Sequence, residues 1–475
     1  MQRTFMVAKG KLSLLTIMLI LAGCTVGPDY RAKHDEPLIL SQPLDQKLYS
    51  NERLQREWWR QFQDPQLNQA IDLALRNNQD IQIAQARLLE ARAALDERQL
   101  DRLPSITSGV SHTRSLSQEN PGVVGEPNVA KNYRGALDMQ WEVDLFGRLQ
   151  RISEAAMARS QASADDLAQV QIIVTADVAR NYFQMRGAQK KLEIAHAHLT
   201  NQQQTVRVVE AMVAAGRGQD DELASARAER ARVEASLAPM TEQYYLARYK
   251  LAVLMGLRTN DVEHVIPKTP LPTLSVRLPI GDVGELLRQR PDVASAERLL
   301  AASTADVGAA TAELYPRINL GGFIGFVAIR GGDIPNGDSR AFGIMPSIDW
   351  PALHFATVKA KQRQAQARLQ GAEARHRQTV LQAIEETEGA LMRYSQSQQR
   401  LQALTDAASE SRRAAALAEA RYKAGGAPYL TSLAADRTRL SAEESLAEAD
   451  TETFIDIVMV YKALGGGWSA GRGTS

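Results

Sequence analysis

A chain of 475 residues whose 56 basic and 55 acidic side chains are finely interleaved, for a net charge of +1, lacks the basic face that nucleic acid requires. One cysteine, Cys24, excludes an intrachain disulfide. Aromatic residues are few and alanine, glutamine and arginine abound, a composition that suits exposed helix.

At the N-terminus, Arg3, Lys9 and Lys11 precede an apolar run, Leu12 to Leu21, too short to span a bilayer comfortably and fitted to a secretory signal. The run closes on Leu21-Ala22-Gly23-Cys24, which resembles the bacterial lipobox. On that resemblance residues 1–23 are a signal peptide and Cys24 carries acyl chains. An aspartate after the cysteine holds enterobacterial lipoproteins at the inner membrane; here Thr25 stands there, which favours the outer membrane. Residues 24–56, with Pro28, Pro37 and Pro43 and no sustained period, read as an extended strap.

From Glu57 a helix-loop-helix pattern begins: Trp58-Trp59-Arg60-Gln61-Phe62, the turn Asp64-Pro65, then Leu67, Ile71, Ala74 and Leu75. A second helix, from about Asp80 to Leu103, carries Ala84, Leu88, Ala91 and Leu95 on one face. After Pro104 the period becomes two. A weak strand over about 105–114 leads to a clear one over about 133–145, where Leu137, Met139, Trp141, Val143 and Leu145 alternate with Asp138, Gln140, Glu142 and Asp144.

A helical run without proline follows from Leu149 to Ala214. Its Tyr182, Met185, Leu192, Ala195, Leu199, Val206, Val209 and Val213 fall three and four apart, the spacing of a coiled-coil seam. At about 1.5 Å per residue the run is on the order of 100 Å long, too long to fold back onto a compact core. The chain turns at Ala215-Gly216-Arg217-Gly218 and returns from Asp221. Asp220 and Asp221 either cap the returning helix or place charge at the turn, and the two roles can coexist. His196 and His198, two residues apart on a helix, point to roughly opposite sides; they read as solvated positions, and no metal site is expected.

The pattern then recurs. An offset of 209 carries the seam onto Leu391, Tyr394, Leu401, Leu404, Ala408, Ala415, Ala418 and Tyr422, and Gly216 onto Gly425. An offset of 212 carries Asp80, Ala84, Leu88, Leu95 and Pro104 onto Asp292, Ala296, Leu300, Val307 and Pro316. Two repeats therefore span 57–274, with a helical hairpin over about 149–257, and 275–468, with strands over about 317–329 and 341–350 and a hairpin over about 354–464; residues 469–475 form a tail.

Strands of apolar-out, polar-in alternation with a tryptophan near one end are the signature of a transmembrane β-barrel. Four are too few to close one, so several copies must share it, three giving about twelve strands. The predicted fold class is an α+β membrane protein with internal duplication: a long α-helical coiled-coil barrel joined to a transmembrane β-barrel, four strands per protomer. Asp138, Gln140, Glu142 and Asp144 are expected to line the barrel lumen, an acidic wall that favours cations. The helices alone would also suit a lipid-held periplasmic scaffold without a pore. Gly321-Gly322-Phe323-Ile324-Gly325 lies in a strand and is no dinucleotide loop, and there is no Walker lysine or nucleophile elbow. No enzyme activity and no cofactor beyond the lipid are expected, so energy for transport comes from a partner.

Several stretches together resemble the TolC-like outer-membrane efflux proteins, in particular the lipoprotein branch typified by OprM and NodT. They are Cys24-Thr25-Val26-Gly27-Pro28-Asp29-Tyr30; Trp58-Trp59 with Phe62, Asp64-Pro65 and Leu67; Glu142-Val143-Asp144-Leu145-Phe146-Gly147-Arg148; Arg290-Pro291-Asp292-Val293; and Leu314-Tyr315-Pro316. The resemblance implies a homotrimer with a twelve-stranded barrel in outer-membrane lipid and a helical tunnel through the periplasm. It also implies a periplasmic adaptor and an inner-membrane efflux transporter as partners. The cargo implied is small molecules, with type I protein secretion as the alternative. It places a gate at the helix turns, with Leu430 at an apolar constriction and Tyr422 in the closing bonds, while Arg217, Asp220 and Asp221 lie at corresponding depth. Gly216, Gly218, Gly425 and Gly426 mark the turns that would meet the adaptor. Ala434 stands where relatives usually carry an aspartate, which removes one expected carboxylate ring.

Overall fold

The computed structural model describes residues 25–32, 41, 45, 47–52, 54–117, 128–272, 277–334, 336–351 and 354–467. The signal peptide, Cys24, much of the strap and the tail lie outside the described residues. In chain order the elements are β1 (Tyr49–Ser50), α1 (Pro65–Asn77), α2 (Gln79–Leu100), β2 (Ser105–Ser117), β3 (Asn128–Val143), α3 (Arg148–Ala214), α4 (Asp220–Leu254), α5 (Val262–Val265), β4 (Leu278–Pro279), α6 (Val283–Gln289), α7 (Pro291–Ala312), β5 (Arg317–Ala328), β6 (Arg340–Asp349), α8 (Phe355–Lys423) and α9 (Tyr429–Ala463).

Both sequence offsets return as geometry. Helix α9 is α4 displaced by 209 residues at both ends, and α7 is α2 displaced by 212. Equivalent residues even make equivalent bonds. The indole N–H groups of Trp141 and Trp350 donate to the carbonyls of Arg102 and Leu314, at 3.0 and 3.2 Å. Asn78 Nδ2 and Arg290 Nη1 donate to the last carbonyls of α4 and α9, those of Leu254 and Ala463, at 3.0 and 2.8 Å.

Two compact units make up the chain. The first draws on the described parts of Met1–His34, Arg87–Ala164 and Ser295–Arg377. Its centre is an antiparallel sheet of order β2-β3-β5-β6. Strands β2 and β3 are longer than the alternation suggested, pairing from Ser105 opposite Gln140 out to Ser117 opposite Asn128. The strap residues 25–32 belong here. Val26 N–H donates to Phe146 O, Asp29 pairs with Arg151 at 2.6 Å, and Tyr30 donates to Glu297 at 2.8 Å. Phe146 stacks on Tyr315, centroids 4.8 Å apart, so three of the stretches that carry the family resemblance meet in one place.

The second unit comprises the described parts of Asp35–Ala86, Asp165–Ala294 and Gln378–Ser475. Its largely aliphatic core holds an aromatic cluster: Trp58, Trp59, Phe62, Tyr182, Phe183, Phe454 and Tyr461 are all buried, with Trp58 stacked on Tyr461 at 5.1 Å and Phe183 on Phe454 at 4.8 Å. Each such side chain contributes about 1.5–3 kcal/mol by leaving water. Asp64 accepts from the backbone N–H groups of Gln66 and Leu67, capping α1 behind Pro65, and also from the Tyr182 hydroxyl. Buried Arg290 is held by Asp292 and Glu386. The parallel β1–β4 bridge, two residue pairs long, has no counterpart in the sequence pattern.

Helices α3 and α9 approach closely at Gly187, where an added Cβ would lie 2.2 Å from Thr451 Oγ1. That hydroxyl is already committed to Ala447 O, at 2.8 Å, and Thr451 Cβ itself would stand 2.8 Å from the added atom, so no rotation of the Thr451 side chain clears it. Gly187→Ala is therefore expected to cost about 1–3 kcal/mol through overpacking, against its favourable helix propensity. Thermal unfolding in detergent measures this, and a variant as stable as the parent contradicts it.

Candidate channel wall and gate

In the first unit the registers sort every strand residue onto one of two faces. One face is apolar where the strands adjoin the helices: Ile106, Met139, Gly322 and Ile344 lie in one rung, and Ser108, Leu137, Ile324 and Phe342 in the next, while His112, Arg114, Lys131 and Arg340 stand on it toward the far ends of the strands. Its side chains are open to the surroundings, Val110 at 89% and Phe342 at 80%. So large an exposed apolar surface needs a partner phase. The opposite face carries Ser105, Thr107, Ser111, Thr113, Arg134, Asp138, Gln140, Glu142, Asn319 and Asp349. Asp138, Gln140 and Glu142 thus share the polar face, as their spacing predicted.

The expectation of an acidic wall needs two corrections. Strand β3 ends at Val143, so Asp144 leaves the sheet; its carboxylate accepts from the backbone N–H of Gln150 at 2.8 Å and caps the first turn of α3. The other two carboxylates are neutralised by arginines. Arg134 donates to both oxygens of Asp138, and Arg148 donates to both oxygens of Glu142, at 2.9 and 2.7 Å. Period-two alternation shows which face a residue occupies but not which cation reaches it.

In the second unit the two long hairpins turn at Gly216 and Gly425, with φ of +68° and +73°, the left-handed conformation that favours glycine. Gly218 N–H closes back on Met212 O and Gly426 N–H on Arg421 O, at 3.1 and 2.9 Å. Val206, Val209, Ala226, Tyr429 and Leu433 form a small core beside these turns, with Tyr422 packed against it. The Tyr422 ring lies 5.6 Å from that of Tyr429, and its hydroxyl donates to Met212 Sδ at 3.3 Å. Burial raises the pKa of both phenols, Tyr429 to about 12, so both stay protonated at physiological pH.

Leu430 is half-exposed. Arg217, Asp220 and Asp221 are exposed as well. Asp220 and Asp221 lie in the first turn of α4, where carboxylates suit the helix N-terminus, while the capping box is made by Gln219 and Glu222, whose carboxylate accepts from the Gln219 backbone N–H. Ala434 is exposed, and the nearest carboxylate on that helix, Asp436, is turned to a different use.

That use was not visible in the sequence. His198, read as a solvated position, is buried in the seam and bonds Asp436 at 2.8 Å. His196 is exposed. Gln202 donates to the same Asp436 oxygen at 3.0 Å, while Arg439 holds the other at 2.7 Å. Nearby, fully buried Glu229 of α4 accepts from Arg232 of its own helix and from Arg437 of α9. These ties join the first hairpin to the second. The available signal was register: Ala195, His198, Gln202, Val206 and Val209, and likewise Ala226, Glu229 and Val233, fall three and four apart, which puts polar residues inside apolar seams.

Burial pushes the Asp436 carboxyl up, but His198 and Arg439 overcome this and hold it at about 2, below its ordinary 3.8. The stability it contributes is therefore complete above about pH 4 and is lost as the pH falls toward 2. Asp436→Asn is expected to cost about 1–3 kcal/mol at pH 7, because it removes a charged acceptor from His198 and Arg439. Thermal unfolding of the variant and parent at pH 7 tests this, and coincident curves contradict it.

Comparison with known proteins matches this geometry. The sequence profile described as outer membrane efflux protein matches residues 70–257 and 283–466, one match to each repeat. Outer membrane protein OprJ of Pseudomonas aeruginosa is 29% identical over 466 residues, covering 97% of this chain and 96% of OprJ. The toluene efflux pump outer membrane protein TtgI of Pseudomonas putida is 28% identical over 464 residues, covering 96% and 98%. The solved outer-membrane channel OprN superposes with a TM-score of 0.89 at 41% identity, covering 94% of this chain and all of the OprN chain. With both repeats matched and the fold reproduced over 94% of the chain, the chain belongs to the outer membrane efflux protein family.

Proposed function

We propose that this protein is the gated exit duct of a tripartite efflux system, carrying small molecules from an inner-membrane transporter through a periplasmic adaptor to the exterior. The observation that carries this reading is the four-stranded sheet, apolar and uncovered on one face and hydrophilic on the other. Lipid is the phase that suits the first face and water the second. Four strands cannot close a barrel, so the reading requires a homotrimer of about twelve strands, with Gln140 and the Arg134–Asp138 and Glu142–Arg148 pairs turned to the lumen. The name of TtgI supports a small-molecule cargo.

Solute moves passively in this scheme, and control lies at the hairpin turns. Leu430, half-exposed beside the small core, supplies an apolar constriction, and Tyr422 holds the two turns together through Met212. Arg217, Asp220 and Asp221 offer charge to neighbouring copies, and Gly216, Gly218, Gly425 and Gly426 form the surface that meets the adaptor. Acyl chains on Cys24 add a second hold on the membrane beside the barrel.

Two measurements test this. Replacing both Tyr422 and Leu430 with serine should make the closed channel leak, raising single-channel conductance and sensitising cells to antibiotics of vancomycin size; unchanged conductance and sensitivity would remove the gate from these residues. Replacing Cys24 with alanine, with a cleavable signal supplied, should leave the protein resistant to extraction by salt and alkali, since the barrel still spans the bilayer. Release into the soluble fraction would instead identify a spacer held only by lipid.

A further inference from the structure

We propose that the Arg134–Asp138 pair forms a charge-balanced belt on the lumen wall and sets the ion selectivity of the duct. This rests on the exit-duct reading and adds a selectivity determinant to it. On the polar face, Thr107, Asp138, Phe323 and Gly343 stand side by side across the four strands. The next rung is Gly109, Ala136, Gly325 and Ala341. Phe323 is flanked along β5 by Gly321 and Gly325, so its ring rises alone from a floor of small residues.

The floor is shaped for that ring. A Cβ at Gly343 would come within 2.7 Å of Phe323 Cε1, so glycine at 343 lets the ring lie across β6. The guanidinium of Arg134 sits over the ring, 4.9 Å from its centroid, and donates through Nη1 to Asp138 Oδ2 at 2.9 Å and through Nη2 to Oδ1. Residues four apart on a strand are about 13 Å apart along one face, so the pair lies lengthwise on the wall. Ala136, between them on that face, is buried.

A fork-to-fork ion pair seated on an aromatic ring is held by geometry as well as charge. Both side chains nonetheless remain partly exposed, so each meets the water of the lumen. Three copies would set three cations and three anions at one level, with no net charge. Removing one partner would leave three like charges facing a narrow aqueous path, where field effects on passing ions are strong.

The test is the reversal potential of the purified, reconstituted channel in planar bilayers under a potassium chloride gradient at low ionic strength, where screening is weak. That quantity reads selectivity whatever the degree of gate opening. The parent should discriminate between potassium and chloride by less than about twofold. Arg134→Gln should favour potassium and Asp138→Asn should favour chloride, each by about threefold or more relative to the parent, and the double variant R134Q/D138N should return to the parent ratio. Phe323→Leu changes no charge and should keep the parent ratio; a shift as large as that of Arg134→Gln would overturn the assignment of selectivity to charge. Conducting channels with one ratio in all the variants would overturn the belt alone, whereas a parent that stays silent even when Tyr422 and Leu430 are both replaced with serine would overturn the duct reading on which it stands.

Discussion

Every other feature of this molecule answers to one constraint: a sheet of four strands, too small to close, has an apolar face that no other described residue covers. Ile106, Val110, Leu137, Ile324, Phe342, Ile344 and Ile348 project from one side of β2, β3, β5 and β6 without protein over them. In water such a surface would drive aggregation, and in lipid it is at rest. The outer edges of β2 and β6 are unpaired among the described residues, and a barrel leaves no strand unpaired, so further copies have to complete it.

Duplication is how one chain supplies two equivalent parts of such a ring. The correspondence extends from element bounds to single hydrogen bonds, as the matched Trp141 and Trp350 and the matched Asn78 and Arg290 show. The halves diverge where they meet each other. His198, Gln202 and Glu229 in the first hairpin face Asp436 and Arg437 in the second, and no ties of this kind link the corresponding residues with the hairpins exchanged, among the described residues. Burying these charges is tolerable because each carboxylate accepts from more than one donor. The cost of breaking one tie is then larger than the net worth of the whole set, which suits a junction that has to hold one register.

Charge on the polar face of the sheet follows the same logic of local balance. Spacing alone predicted a row of carboxylates; in the fold one of them caps a helix and two others have arginines. Arg134 reaches Asp138 along its own strand, and Arg148 reaches back to Glu142 across the strand-to-helix turn. A carboxylate's field at a distance depends on such neighbours, so composition along a strand is a poor guide to the potential of the face it builds.

What the sequence by itself determined is whatever repeats or alternates. Period two over Leu137 to Val143 assigned the faces of β3, seams of three and four marked the long helices, and offsets of 209 and 212 predicted the two halves, because local periodicity dictates which side of an element is apolar. What only the tertiary structure decided is pairing between distant positions: Asp436 with His198, Arg437 with Glu229, and the strap at Asp29 with Arg151. Even Asp144, six residues before its partner, was misassigned, since the end of β3 is set by where α3 must begin. Such contacts leave no periodic trace. They depend on which helix faces lie opposite one another, and in a duplicated chain two candidate faces carry nearly the same pattern, so only packing selects between them.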